Sequence, residues 1–152
     1  MARTSSTAEA EIRALMADWT DAVRSKNVDR VMSHYAPDIV AFDIAPPLEN
    51  RGAAEYRENW TSWFPTFRGE VGYEMRDLVV TAGENVAFCR SLNHIRGTRE
   101  NGERTDVWVR ATVGFRRMDG SWKVTHEHVS VPFYMDGSYR AAVDLAPAEH
   151  AH

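Results

Sequence analysis

The chain has 152 residues, 43% hydrophobic and 26% charged, with a formal net charge of −4. That length fits one domain with a core and a pocket, and its 18 Lys and Arg are scattered, without the basic stripe that nucleic acid binding requires. No apolar run approaches the roughly 20 residues that cross a bilayer, Met1–Thr7 lacks the apolar centre of a signal peptide, and a lone cysteine, Cys89, makes no internal disulfide, so a soluble cytoplasmic protein is expected.

The first third reads as helical. Ser6 followed by Glu9 forms a capping-box pattern, and Ile12, Leu15, Met16, Trp19, Ala22 and Val23 fall on one helical stripe. Lys26-Asn27 breaks it, and Asn27 is placed to cap a second helix, Val28 to Tyr35, which Pro37 stops. Ile39 to Ile44 reads as a short strand, followed by a loop marked by Pro46-Pro47 and Gly52. Ala53, Tyr56, Trp60, Trp63 and Phe67 recur every three or four residues, a third helix whose end Pro65 disturbs.

The period then changes. Val71, Tyr73 and Met75 alternate, and Leu78 and Val80 resume on the other parity, so a bulge is expected near Arg76-Asp77. Gly83-Glu84-Asn85 turns the chain into a strand from Val86 to about Arg99. Asn101-Gly102 signals a two-residue hairpin turn, Asp106 to Met118 the next strand, Asp119-Gly120 a turn, and Trp122 to Val131 the last strand before Pro132. The pattern is α+β: three N-terminal helices packed on a strongly bent, mainly antiparallel sheet, forming a cone with an apolar interior. Residues 8–135 form the domain, with tails at 1–7 and 136–152, the second loose at its end.

Tyr35-Ala-Pro-Asp-Ile-Val-Ala-Phe-Asp43, the Pro-Pro loop, Val109-Arg110-Ala-Thr112, Asp119-Gly-Ser-Trp-Lys-Val and His126-Glu-His-Val-Ser-Val-Pro132 resemble the SnoaL-like and ketosteroid-isomerase-like branch of the nuclear-transport-factor-2-like superfamily, over roughly residues 8 to 133. The resemblance implies the cone-shaped fold and a homodimer through the sheet. It leaves the activity open, because that superfamily includes isomerases, cyclases, hydrolases, dehydratases and non-catalytic binders.

Asp43 matches the place of the isomerases' proton-shuttling aspartate, and between Phe42 and Ile44 its pKa would be raised enough to make it a base. The alternative is a loop carboxylate that caps a turn or pairs with an arginine. In the isomerases a tyrosine and a protonated aspartic acid bind the oxyanion. The resemblance sets Val23 and Thr112 at those positions, and neither supplies the chemistry.

A three-residue turn at Met118-Asp119-Gly120 would set Thr112 opposite His126, Arg110 opposite His128 and Trp108 opposite Ser130, all on one face of the sheet. A two-residue turn would instead set the histidines opposite Val113 and Ala111. The first register is favoured because it gathers the polar side chains. A two-residue Asn101-Gly102 turn adds Asn93 opposite Arg110. The candidate catalytic residues are therefore Asp43, Arg110 and His128, with Asn93, Trp108, Thr112, His126, Trp60 and Trp63 as ligand contacts. In that cluster Arg110 would hold a carboxylate or polarise a carbonyl, and a histidine would move a proton. The competing reading is a buried polar network with Arg110 paired to Asp43 or Glu127.

His126-x-His128, completed by Asp43 or His94, is a weak metal pattern, and Arg110 beside it disfavours a cation. His150 and His152 read as tail residues. No metal or cofactor is expected, and no Gly-rich phosphate loop or Ser-His-Asp pattern occurs. Trp60 and Trp63 at the cavity mouth would suit a small apolar or aromatic ligand. An acid–base enzyme of isomerase or lyase type on a small carbonyl compound is one reading; a non-catalytic binding or assembly module is the other.

Overall fold

The computed structural model describes residues 5–148 of the chain. Helix α1 spans Ser5–Arg24, and its stripe buries Ile12, Met16, Trp19, Ala22 and Val23 as the spacing predicts. Ser6 lies inside this helix rather than at its N-cap, which corrects the capping-box expectation. Helix α2 (Val28–Met32) is capped by Asn27, whose side chain accepts from the Arg30 amide. It ends three residues earlier than expected, and Tyr35 already opens strand β1 (Tyr35–Phe42). Pro37 therefore sits in a strand. It falls in the stretch where pairing with the last strand slips, so its missing N–H breaks no ladder bond.

Strand β2 (Asn50–Arg51) pairs back on β1, and helix α3 (Ala53–Trp63) follows Gly52, whose φ of 91° suits a residue without Cβ. A 3₁₀ turn, Phe64–Thr66, carries Pro65 in its first turn, and Phe67 begins strand β3 (Phe67–Ala82) instead of ending the helix. Strands β4 (Val86–Arg99), β5 (Arg104–Met118) and β6 (Ser121–Ser130) complete a six-stranded curled sheet of order β2-β1-β6-β5-β4-β3. Only β1 and β6 run parallel. The fold is α+β, with three helices on one face of the bent sheet.

The expected bulge in β3 is present. Asp77 has φ 57°, and the register slips between Arg76 and Val79, so Tyr73 and Val80 both face the helices. The two hairpin turns exchange the geometries read from the sequence. At Glu100-Asn101-Gly102 only the glycine takes a positive φ, and Arg99 N–H bonds Glu103 O at 2.8 Å, a three-residue loop. At Asp119-Gly120 both residues take positive φ (51° and 82°), and Met118 faces Ser121 across a two-residue turn.

After β6, Phe133 bridges to Ala141, and Tyr134 Oη donates to Asp144, folding 133–144 into a hairpin-like strap. The end of the tail, with His150 and His152, lies outside the described residues, as do residues 1–4 of the N-terminal tail. Among the described residues no helix is long and apolar enough to cross a membrane.

Candidate functional site

The register decides which face each candidate occupies. In β5 the alternate residues Val109, Ala111, Val113 and Phe115 are buried on the inner face, Val113 and Phe115 in the core shared with the helices, while Arg110 and Thr112 are exposed on the outer face. An extra residue in β6, Thr125, lies between the Phe115–Val124 and Gly114–His126 pairs. That bulge compensates for the shorter turn. His126 and His128 still share a face with Arg110 and Thr112, but Thr112 opposes His128 and Arg110 opposes Ser130. Arg110 Nε donates to Ser130 Oγ at 3.3 Å.

The expected cluster of Asn93, Arg110, His126 and His128 does not form. The loop at Glu100–Gly102 sets Asn93 opposite Val109 and Arg110 opposite Leu92, so Asn93 points inward and Arg110 outward. The physical reason is ordinary: the apolar parity of β5 seeks the helices, and a guanidinium stays in water rather than lose its hydration. Trp108 is also on the outer face, stacked on His94 at 4.3 Å between ring centroids, and His94 Nε2 lies 2.6 Å from Asp106 Oδ1. Phe42 meets both β6 histidines edge-on, at 4.7 Å from His126 and 5.4 Å from His128. His126 Nδ1–H donates to Val40 O at 2.7 Å. Among the described residues no three His, Cys, Asp or Glu side chains converge as a metal site.

Asp43 stands at the open end, where β1 and β6 both finish. Its Oδ1 accepts from Ile44 N–H at 2.7 Å and its Oδ2 from Asn59 Nδ2 at 3.3 Å. An open cleft of about 450 Å³ is lined by Phe42, Asp43, Ile44, Leu48 and Glu49 on one side and His128–Val131 on the other. Asp43 and His128 thus border one cleft, and Arg110 reaches it only through Ser130. Neither Trp60 nor Trp63 lines it. The apolar stripe of α3 turns toward the sheet, so Trp60 (9% exposed) packs on Trp19 and Tyr56, and Trp63 on Phe67.

The most unusual group lies deeper. Glu127 of β6 is 5% exposed, and its carboxyl accepts from Tyr56 Oη at 2.6 Å and from Tyr35 Oη at 3.1 Å. Trp19 Nε1 donates to Tyr35 Oη at 2.9 Å, and Asn93 (1% exposed) donates through Nδ2 to Tyr73 Oη at 2.8 Å. Burial pushes the Glu127 carboxyl up to about 7; the Tyr56 bond opposes this and the nearby charge of Asp43 adds to it. Tyr35, Tyr56 and Tyr73 are all raised, first by burial and then by the Glu127 charge. Cys89, buried in the same core, is pushed up to about 12.

The sequence reading admitted Glu127 only as a partner for Arg110. The signal was present: a carboxylate between two histidines on a strand must face the opposite side from both. Two tyrosines, Tyr35 and Tyr56, at buried positions also required acceptors. At the tyrosine and aspartic acid positions of the isomerases, Val23 is fully buried and Thr112 is outside the cone.

The model of the SnoaL-like domain matches residues 12–134, helices and sheet together. The chain belongs to the SnoaL-like family. Its structure is similar to that of an NTF2-like protein of unknown function from Pseudomonas putida KT2440, with 36% identity and a TM-score of 0.86 over 95% of this chain and 100% of that one. A ketosteroid isomerase-like protein from Erwinia carotovora atroseptica SCRI1043 shares 24% identity, TM-score 0.69, over 80% of this chain and 93% of that one. An NTF2-like superfamily protein from Salmonella enterica serovar Typhimurium LT2 shares 18% identity, TM-score 0.77, over 89% and 98% respectively. Comparison with curated proteins gave no match. Kinship within the SnoaL-like family accounts for the cone and leaves the chemistry to the residues inside it.

Proposed function

We propose that this SnoaL-like domain binds a small apolar carbonyl compound at its open end and moves a proton on it, as an isomerase or lyase does. Asp43, in the cleft, is the base. Glu127, neutral below about pH 7 and braced by Tyr56 and Tyr35, is the acid inside. The observation that carries this reading is the burial of an ionisable carboxyl under two tyrosine hydroxyls, close enough to Asp43 to feel its charge. A neutral carboxylic acid can donate to a developing enolate, and Tyr56 on α3 and Tyr35 on β1 would hold Glu127 for that role. The Glu127 assignment replaces the roles first given to Arg110 and His128. His128 retains a place on the cleft wall.

The test is hydrogen exchange next to a carbonyl. Small cyclic ketones are incubated with the protein in D2O and followed by proton NMR. The wild type is expected to accelerate exchange, and Asp43→Asn to lower the rate by about 10²–10⁴-fold. No exchange above buffer across the ketones, or an unaffected Asp43→Asn, overturns the enzyme reading.

A second reading rests on the outer face, where Phe88 (49% exposed) pairs with Gly114 and Phe42 packs edge-on against the two histidines. Such a face supports a homodimer through the sheet, with the cleft serving only to bind. Phe88→Asp is expected to convert dimer to monomer by sedimentation; a monomeric wild type removes this reading.

A further inference from the structure

The cleft at the open end divides its charges between two walls. On the β1 side stand Asp43, which accepts from Ile44 N–H and Asn59 Nδ2, and Glu49, which pairs with Arg51 at 2.7 Å. On the β6 side stand His128 and Ser130, which the register turns to the outer face opposite Thr112 and Arg110. A guanidinium only donates, so Arg110 Nε gives its proton to Ser130 Oγ, at 3.3 Å. That bond ties Arg110 to the cleft wall, and among the described residues its Nη groups meet no acceptor. Arg90 lies opposite Thr112, diagonal to Arg110 across the strand pair and about 7–8 Å from it. Among the described residues Arg90 has neither a hydrogen bond nor an ion pair. The helices differ: Arg13, Arg24, Arg30 and Arg57 each reach a carboxylate. The cations at this wall have no carboxylate of their own.

We propose that the ligand of this cleft carries a carboxylate, which Arg110 binds at the β6 wall through its free Nη groups while Arg90 adds to the positive field. The inference rests on the cleft being the site of the proposed reaction, and it narrows the substrate class to a small keto acid. A planar carboxylate matches the guanidinium fork, and charge-assisted bonds of this kind are the strong ones. The apolar body would lie on Phe42, Ile44, Leu48 and Val131. Asp43 and Glu49 repel a second carboxylate from the β1 wall, so the acid group turns toward β5 and the rest of the ligand toward Asp43. One orientation follows from the charges alone.

The experiment titrates the full chain by NMR with a cyclic keto acid, oxocyclohexanecarboxylate, and with its methyl ester, which keeps the ring and the ketone. The wild type is expected to bind the acid about tenfold more tightly than the ester at low salt, and the ratio should narrow as salt is added. Arg110→Ala should bring the ratio close to one, and Arg110→Lys, which keeps the charge without the fork, should leave it between the two. Should Arg110→Ala disturb the fold, Arg110→Gln decides alone. Equal affinity for acid and ester in the wild type overturns the proposal. An acid preference that survives Arg110→Ala and vanishes in Arg90→Ala overturns the assignment to Arg110. Deuterium exchange on the ketone is followed in the same samples. Exchange without acid preference removes only this inference, and acid preference without exchange removes the proposed reaction while keeping the ligand class. Failure of both compounds to bind removes the two together.

Discussion

The two faces of β5 and β6 are built from one alternating sequence and do opposite work. Inward, Val109, Ala111, Val113 and Phe115 are buried on the same face as a single carboxyl, Glu127, which accepts from two tyrosines. Outward, Arg110, Thr112 and His128 stand exposed, with charge enough to look like a catalytic cluster. An exposed guanidinium beside an imidazole keeps its hydration and needs no partner, whereas one carboxyl under the helices reorganises every hydroxyl near it. For a site in this cone, one buried carboxyl is more informative than three exposed polar side chains.

The largest expected effect separates the faces by aromatic truncation. Phe115 is 1% exposed on the inner face and Phe88 49% exposed on the outer. Phe115→Ala should cost about 3–5 kcal/mol in urea unfolding, and Phe88→Ala under about 0.5 kcal/mol in the monomer. Equal costs would break the division.

The next effect is the pH dependence of stability. Below pH 4.5, the ordinary value for the carboxyl, Glu127 is protonated in both folded and unfolded chains and contributes nothing. As pH rises from there to about 7, the unfolded chain releases the proton and the folded chain holds it, so stability falls and then levels. The loss is of order 3 kcal/mol. Denaturation at pH 5 and pH 8 should show it in the wild type, and Glu127→Gln should remove this component. A smaller change, Tyr56→Phe, deletes the 2.6 Å bond to Oε2 and should cost about 1–3 kcal/mol at pH 8 while moving the Glu127 titration upward. At the bottom of the scale, Arg110→Ala and His128→Ala should leave both the melt and the Glu127 titration where they are. A shift from either would reconnect the outer face to the interior.

Several elements were legible because their determinants are local. The α1 stripe, the Asn27 cap, the slip of parity at Arg76-Asp77 and the strand Val86–Arg99 each follow from spacing or from one side chain meeting a nearby amide. Pro37 misled because proline ends helices in general, and whether it also interrupts a strand depends on which neighbour pairs there. The hairpins misled because Asn-Gly and Asp-Gly each admit more than one turn. Asp43 was legible as a residue at the mouth of the cone. Glu127 was not read as a site, because its importance comes from Tyr35 and Tyr56, residues far from it in the chain.

The sequence by itself determined the α+β order, the family, the apolar parity of each strand and the position of Asp43 before the proline loop, since these depend on periodicity and on residues close along the chain. The tertiary structure alone decided the registers of β4, β5 and β6, through a three-residue turn, a two-residue turn and the bulge at Thr125. It sent Arg110, Thr112, His126 and His128 to the outer face and Glu127 to the inner one. A one-residue slip exchanges the two faces of a strand, and only the summed burial of all the strands against the helices selects one of them.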